Sequence, residues 1–219
     1  MASHLDLEEQ EQLDQLKAFW KQWGNLITWV LTAVLAAFAA WQGWNMWQRN
    51  QATQAEGMFA AVQAAAQAGD LSKVNAALVE LQNLPRTSYA AQGTLLAAKA
   101  QFDKGQVDAA KANLLWVAEK GNQTEYRDIA HLRLAGLQLD AKQYDEAAKS
   151  LDAVTGVEFA ALVADRRGDL FMLQNKPAEA KAQYQKAYAA MDKSVDYRKL
   201  IEAKLATLGV AVASSESAQ

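Results

Sequence analysis

The 219-residue sequence has no cysteine and only two prolines and two histidines. Without cysteine, the chain can form no disulfide, thiolate metal site, cysteine nucleophile or lipid-bearing N-terminal cysteine. Pro85 and Pro177 are its only prolines, and much of its 51% hydrophobic content is alanine. Because alanine favours helix and proline interrupts it, this composition predicts an all-α fold.

The residue types that enzymes use are also scarce. His4 lies in an acidic N-terminal segment, and His131 lies within a predicted helix, where a packed structural role is favoured. No glycine-rich phosphate loop or zinc-ligand spacing is present. Asp165 and Asp169 could form a carboxylate pair, but arginines lie between them and no third group is evident, so ion pairs are favoured over acid–base chemistry. We therefore predict a protein that is not an enzyme, with no catalytic residue, cofactor or metal.

Charge is unevenly distributed along the chain. The net charge is −3, and residues 1–23 account for it with five acidic residues against Lys17 and Lys21. The remainder is neutral overall and has no clustered basic surface of the kind that binds nucleic acid.

One segment has the properties of a membrane-spanning helix. No charged residue occurs between Lys21 and Arg49, and the sequence from Leu26 to Trp41 reads LITWVLTAVLAAFAAW. Six of the seven tryptophans fall between positions 20 and 47. Indole rings settle at membrane interfaces, so two groups of tryptophans flanking an apolar span predict its ends. The expected anchors are Trp20, Trp23, Trp41, Trp44 and Trp47.

The orientation of this span follows from a small difference in charge. Lys17 and Lys21 precede it and Arg49 follows it. The positive-inside rule therefore favours a cytoplasmic N-terminus. Two alternatives are a buried core helix and a signal peptide cleaved near Ala37-Phe38-Ala39.

After the apolar segment, a short turn motif recurs. Its versions are AGDLSKV, KGQVDAA, AKQYDEA and QNKPAEA, which end at Val74, Ala110, Ala147 and Ala180. These end points are 36, 37 and 33 residues apart, close to the tetratricopeptide period of about 34. The pattern predicts an α-solenoid of about four helix pairs, with a capping helix over Val195–Leu208.

The same repeat register predicts a concave face suited to a peptide from another protein. Binding residues expected there, or in the charged cluster of the last repeat, are Phe59, Gln63, Lys99, Phe102, Leu132, Leu139, Asp165, Arg167, Asp169 and Met172. Packing of some of these residues against the capping helix is the alternative.

Three segments carry a resemblance to a known family: EEQEQLDQLKAFWKQWGN, HLRLAGLQLDAKQYDEAAKSLDAV and FAALVADRRGDLFMLQNKPAEAKAQY. With the membrane span between the first two, the chain resembles the YfgM-like ancillary subunits of the SecYEG translocon in Gram-negative bacteria. The most specific part lies between Val163 and Asp169.

The resemblance implies a scaffold that is not an enzyme, with its repeat domain in the periplasm. It also implies association with the SecYEG translocon and with a PpiD-like membrane-anchored chaperone during protein export. The expected organisation is an acidic cytoplasmic tail with a juxtamembrane helix (1–23), a transmembrane helix (24–47), a periplasmic repeat domain (48–212) and a disordered tail (213–219). A scaffold for another cell-envelope complex, in division or pilus biogenesis, is the alternative, and self-association is left open.

Overall fold

Helix is the only regular secondary structure in residues 7–210, the part of the chain that this computed structural model describes. Side chains are described from Gln10 onward. The predicted disordered tail at 213–219 lies outside the described residues. The helices are α1 (Leu7–Gln67), α2 (Leu71–Gln82), α3 (Ser88–Asp103), α4 (Val107–Lys120), α5 (Thr124–Asp140), α6 (Tyr144–Asp152), α7 (Ala160–Leu173), α8 (Pro177–Ala190) and α9 (Tyr197–Thr207). A short 3₁₀ turn at Val157–Phe159 precedes α7.

The chain divides into two compact units between Gln51 and Ala52. In the first unit, the apolar side chains of α1 are exposed, and Trp29 has 69% of its surface free. Over the described residues, α1 is the one helix long and apolar enough to cross a membrane. Because a core helix would be covered by other elements, this exposure argues against the buried-helix alternative.

The second unit consists of stacked helix pairs. The last turns of α1 pair with α2, and α3 with α4, α5 with α6, and α7 with α8 follow. The motif-ending residues Val74, Ala110, Ala147 and Ala180 are all buried. Small side chains at these positions let the two helices of a pair approach closely, so the predicted four-pair architecture is confirmed.

Helix boundaries follow local signals. The Asp70 side chain accepts a hydrogen bond from the Lys73 backbone N–H at 3.1 Å, which caps α2. Pro177 is the first residue of α8, where its missing N–H costs no helical hydrogen bond.

A polar pairing repeats inside the stack. The side chains of Gln101 and Asn113 are joined by a 2.8 Å hydrogen bond, and those of Gln138 and Ser150 by one of 2.7 Å. Both pairs join residues 12 apart on the two helices of one repeat. Because Gln101 and Gln138 are buried, these hydrogen bonds satisfy groups that would otherwise destabilise the core.

Helix α9 closes the end of the stack. Ile201 and Leu205 on this helix are buried against Tyr184 and Ala187 of α8. The predicted capping helix is therefore present, and it covers the apolar face that the last repeat would otherwise expose.

Candidate functional site

The concave face of the repeat unit contains two adjoining cavities. The cavity nearer the end of α1 has a volume of about 580 Å³, and the one nearer α9 has a volume of about 470 Å³. Lys99, Asp103 and Arg133 line both of them. We refer to the two cavities together as the groove and to these three residues as the divider.

The cavity nearer α9 is mainly apolar. Phe102, Leu132, Leu137 and Leu162 form part of its wall, and the Phe102 side chain is 45% exposed. An exposed aromatic ring beside a cavity is a common anchor point in protein interfaces. Helices α3, α5 and α7 contribute these side chains, so three successive repeats form one wall.

The other cavity has an aromatic group at its edge. Phe59 of α1 lines the cavity together with Gln63, Leu95 and Leu96, and its ring packs against Tyr89 with centroids 5.7 Å apart. The ring contact fixes the orientation of Phe59. Phe59 and Gln63 therefore both line this cavity, and their part in binding a partner stays a prediction.

The divider carries two cations and one anion. The Lys99 ammonium pairs with the Asp103 carboxylate one helical turn away. Arg133 donates from Nη1 to the backbone carbonyl of Leu95 at 3.1 Å. Desolvation lowers the pKa of the Arg133 guanidinium, which nevertheless stays charged at neutral pH.

The repeat register predicts that Asp165 faces the groove, but the structure places it elsewhere. Its side chain is completely buried, accepting from Lys204 Nζ at 2.8 Å and from the Tyr197 hydroxyl at 2.8 Å. Both donors come from α9. The expectation that Asp165 is open to a partner is therefore wrong, because the capping helix covers it; the ion-pair alternative is what the structure shows.

Asp169 belongs to the same polar cluster. It accepts from Lys204 at 2.7 Å and from the Tyr184 hydroxyl at 2.7 Å, and its second oxygen pairs with Arg166 at 3.2 Å. Through these contacts, the Asp169 carboxylate stabilises the packing of α7 against α8 and α9. Asp169 does not line the groove.

Three further predicted residues also lie away from the groove. Leu139 is buried in a core cluster with Ala147 and Leu170, so its predicted exposure to a partner is wrong. Leu139 is in the last turn of α5, where the next helix pair covers it. Met172 is partly exposed but lines neither cavity, and Arg167 pairs with Asp152 beside a separate cavity.

Two charged residues escaped prediction: Arg133, which lines the groove, and Asp128, which lies outside it. The repeat register assigns the groove-facing position to Leu132, and Arg133 is the next residue. Only the packed helices show that the Arg133 guanidinium turns into the groove. Asp128 is buried and accepts from the backbone N–H groups of Thr155 at 3.2 Å and Gly156 at 2.7 Å. A carboxylate 27 residues before the loop it fixes has no local sequence signature.

The predicted anchor tryptophans lie on the exposed surface of α1. Trp20, Trp23, Trp41, Trp44 and Trp47 are each exposed over more than a third of their surface. The rings of Trp44 and Trp47 contact each other with centroids 5.1 Å apart. Their exposed surfaces suit contact with a bilayer interface, and that role stays a prediction.

Comparison with known proteins agrees with this architecture. The family described as "Tetratricopeptide repeat-like domain" matches residues 17–210. A Neisseria gonorrhoeae protein named "Ancillary SecYEG translocon subunit" is 33% identical over 210 residues, which are 95% of this chain and 100% of the relative. A Haemophilus influenzae protein of the same name is 27% identical, covering 83% of this chain and 89% of its own.

An Escherichia coli protein of that name is 30% identical over 46% of this chain and 48% of its own. Both the repeat match and the Neisseria relative extend over nearly the whole chain, including the apolar helix. This chain belongs to the tetratricopeptide repeat-like family of ancillary SecYEG translocon subunits.

Proposed function

We propose that this protein is a scaffold of the bacterial inner membrane that associates with the SecYEG translocon and contacts periplasmic chaperones during protein export. The observation that carries the proposal is the two-cavity groove in a domain whose relatives bear the translocon-subunit name. A groove with exposed anchors such as Phe102 suits binding of a polypeptide. No enzymatic step is needed for this role.

In this proposal residues 24–47 span the membrane and residues 48–212 lie in the periplasm. The exposed apolar surface of α1 supports the span, and Lys17 and Lys21 before it support a cytoplasmic N-terminus. Tethering the repeat domain to the membrane raises its effective concentration near the exit of the channel. A PpiD-like membrane-anchored chaperone is the proposed periplasmic partner.

Site-specific crosslinking in intact cells tests the partners. A photo-crosslinking residue at Phe102 in the groove should capture the chaperone, and one at Trp44 near the membrane exit should capture SecY. The matched control places the same residue at Glu119, on an exposed part of α4 away from the groove. Capture of division or pilus proteins at both sites, with SecY absent, would favour the alternative envelope scaffold.

Orientation needs a separate experiment. Alkaline phosphatase is active only outside the cytoplasm, so its fusion after Gln219 should be active. An inactive fusion of normal abundance would contradict the periplasmic location.

A further inference from the structure

Among the described residues, the groove contains one cation for which no counter-ion is seen. Arg133 forms no ion pair with any carboxylate of residues 10–210, and its one hydrogen bond within that part of the chain goes to a neutral carbonyl, that of Leu95. The only carboxylate of the divider, Asp103, is already paired with Lys99. Arg133 is exposed, and its unused N–H donors can bond both oxygens of a carboxylate at once.

The surroundings of Arg133 also restrict the kind of ligand that fits the groove. It lies on the boundary of two cavities, one walled by Phe102 and Leu132 and the other by Phe59 and Leu95. A ligand that reaches the guanidinium therefore has apolar space on either side. Arg166, the third cation that lines the groove, already pairs with Asp169 at 3.2 Å, so Arg133 is the groove cation whose charge is left for an anion.

We propose that Arg133 binds an aspartate or glutamate side chain of a partner polypeptide that places one apolar side chain in each of the two cavities. This inference rests on the proposed function, since it specifies what the groove recognises. It defines the partner by an acidic residue flanked by two apolar residues. Apolar burial supplies the affinity, and the Arg133 contact selects the segment.

Peptide binding to the full chain in detergent tests the inference. The probes are fluorescein-labelled peptides with a glycine and serine background, in which a central Glu lies two, three or four residues from a Leu on each side. Matched sets carry Gln or Lys at the centre. Fluorescence anisotropy should show that at least one Glu peptide binds about tenfold more tightly than its Gln counterpart, with Lys weakest.

Variants of the protein assign the effect to Arg133. Arg133→Glu should reverse the preference, so that the Lys peptide binds more tightly than the Glu peptide. Arg133→Lys keeps the charge but loses the two-pronged hydrogen bonding, and we expect it to weaken the Glu preference several-fold. The control is Lys186→Glu, which also replaces a cation by an anion but lies on the exposed face of α8, away from the groove. It should leave the peptide preference unchanged.

Three outcomes would overturn the inference. For the unaltered chain, these are that no peptide of any spacing binds, or that the Glu and Lys peptides bind equally. The third is that Arg133→Glu keeps the Glu preference while its circular dichroism is that of the folded protein. The peptide comparison uses the unaltered chain, so it decides the matter even if Arg133→Glu misfolds. Loss of peptide selectivity with intact crosslinks to SecY and the chaperone would remove this inference alone. Loss of the crosslinks would remove the proposed function itself.

Discussion

The Nζ atom of Lys204 lies 2.8 Å from Oδ1 of Asp165, which is completely buried. Lys204 also bonds Asp169 at 2.7 Å, so one ammonium serves two carboxylates of α7. The Tyr197 hydroxyl bonds the other oxygen of Asp165. The capping helix is therefore held by a polar cluster in addition to the apolar contacts of Ile201 and Leu205.

Lys204→Met should destabilise the repeat domain by about 2–4 kcal/mol, because it leaves the buried Asp165 carboxylate without its counter-ion. Urea unfolding of the full chain in detergent, followed by circular dichroism, measures the loss. The control is Lys199→Met on the same helix, where the exposed pair with Asp196 at 3.5 Å should contribute less than about 0.5 kcal/mol. Equal effects of the two variants would contradict a structural role for the cluster.

Gly168→Ala should also destabilise the domain, by about 1–3 kcal/mol. A Cβ atom at this position would lie 2.3 Å from Cε1 of Tyr184. The ring cannot easily move away, since its hydroxyl is bonded to Asp169. Thermal unfolding should show a lower midpoint for this variant.

Gly136→Ala is the matched control within another helix. Apart from the adjacent residues and backbone of α5 itself, no described atom lies within 4 Å of the added Cβ there, so the higher helix propensity of alanine should stabilise α5 by about 0.5–1 kcal/mol. A loss of stability at Gly136, or none at Gly168, would show that the packing at these helix surfaces differs from the description above.

Asp128→Asn should loosen the loop before α7. The amide keeps one acceptor oxygen and places an N–H₂ group against the backbone N–H of Thr155 or Gly156, so one hydrogen bond is lost and a donor faces a donor. Amide hydrogen exchange at these two residues should accelerate, with a stability loss of about 1–3 kcal/mol. Unchanged exchange would mean that the loop is held by other contacts. Glu119→Gln, on the exposed surface of α4, serves as the control.

Tyr197 predicts a pH dependence at high pH. Burial, followed by the hydrogen bond to Asp165, raises the pKa of Tyr197 to about 12. An unfolded tyrosine ionises near pH ~10, so the folded state holds this proton more tightly. Its contribution to stability is complete below about pH 10 and is lost as the pH rises from about 10 to about 12.

An ultraviolet titration of the phenolates should therefore show late-ionising tyrosines, and Tyr197→Phe should remove one of them. Burial and the hydrogen bond to Asp169 also raise the pKa of Tyr184, so a second late phenol should remain in this variant. If Tyr197→Phe instead removed a phenol that titrates near pH ~10, the buried contact with Asp165 would be contradicted.

The features determined by the sequence alone are those with a local or periodic physical cause. The uncharged apolar run ending in tryptophans requires one long exposed helix, and small residues at Ala110, Ala147 and Ala180 require close helix pairs. The same period also predicts some of the groove residues, since Phe59, Lys99 and Phe102 line the groove.

The tertiary structure alone decided which charges are open to a partner. Asp165 and Arg133 are both charged residues on the first helices of repeats, and their sequence surroundings do not distinguish them. Asp165 is buried because α9, more than 30 residues later, folds back and supplies Tyr197 and Lys204. Arg133 keeps its unused donors because no acidic side chain among the described residues reaches it. Helical periodicity fixes the face on which a residue lies, but its final partner depends on which distant element covers that face.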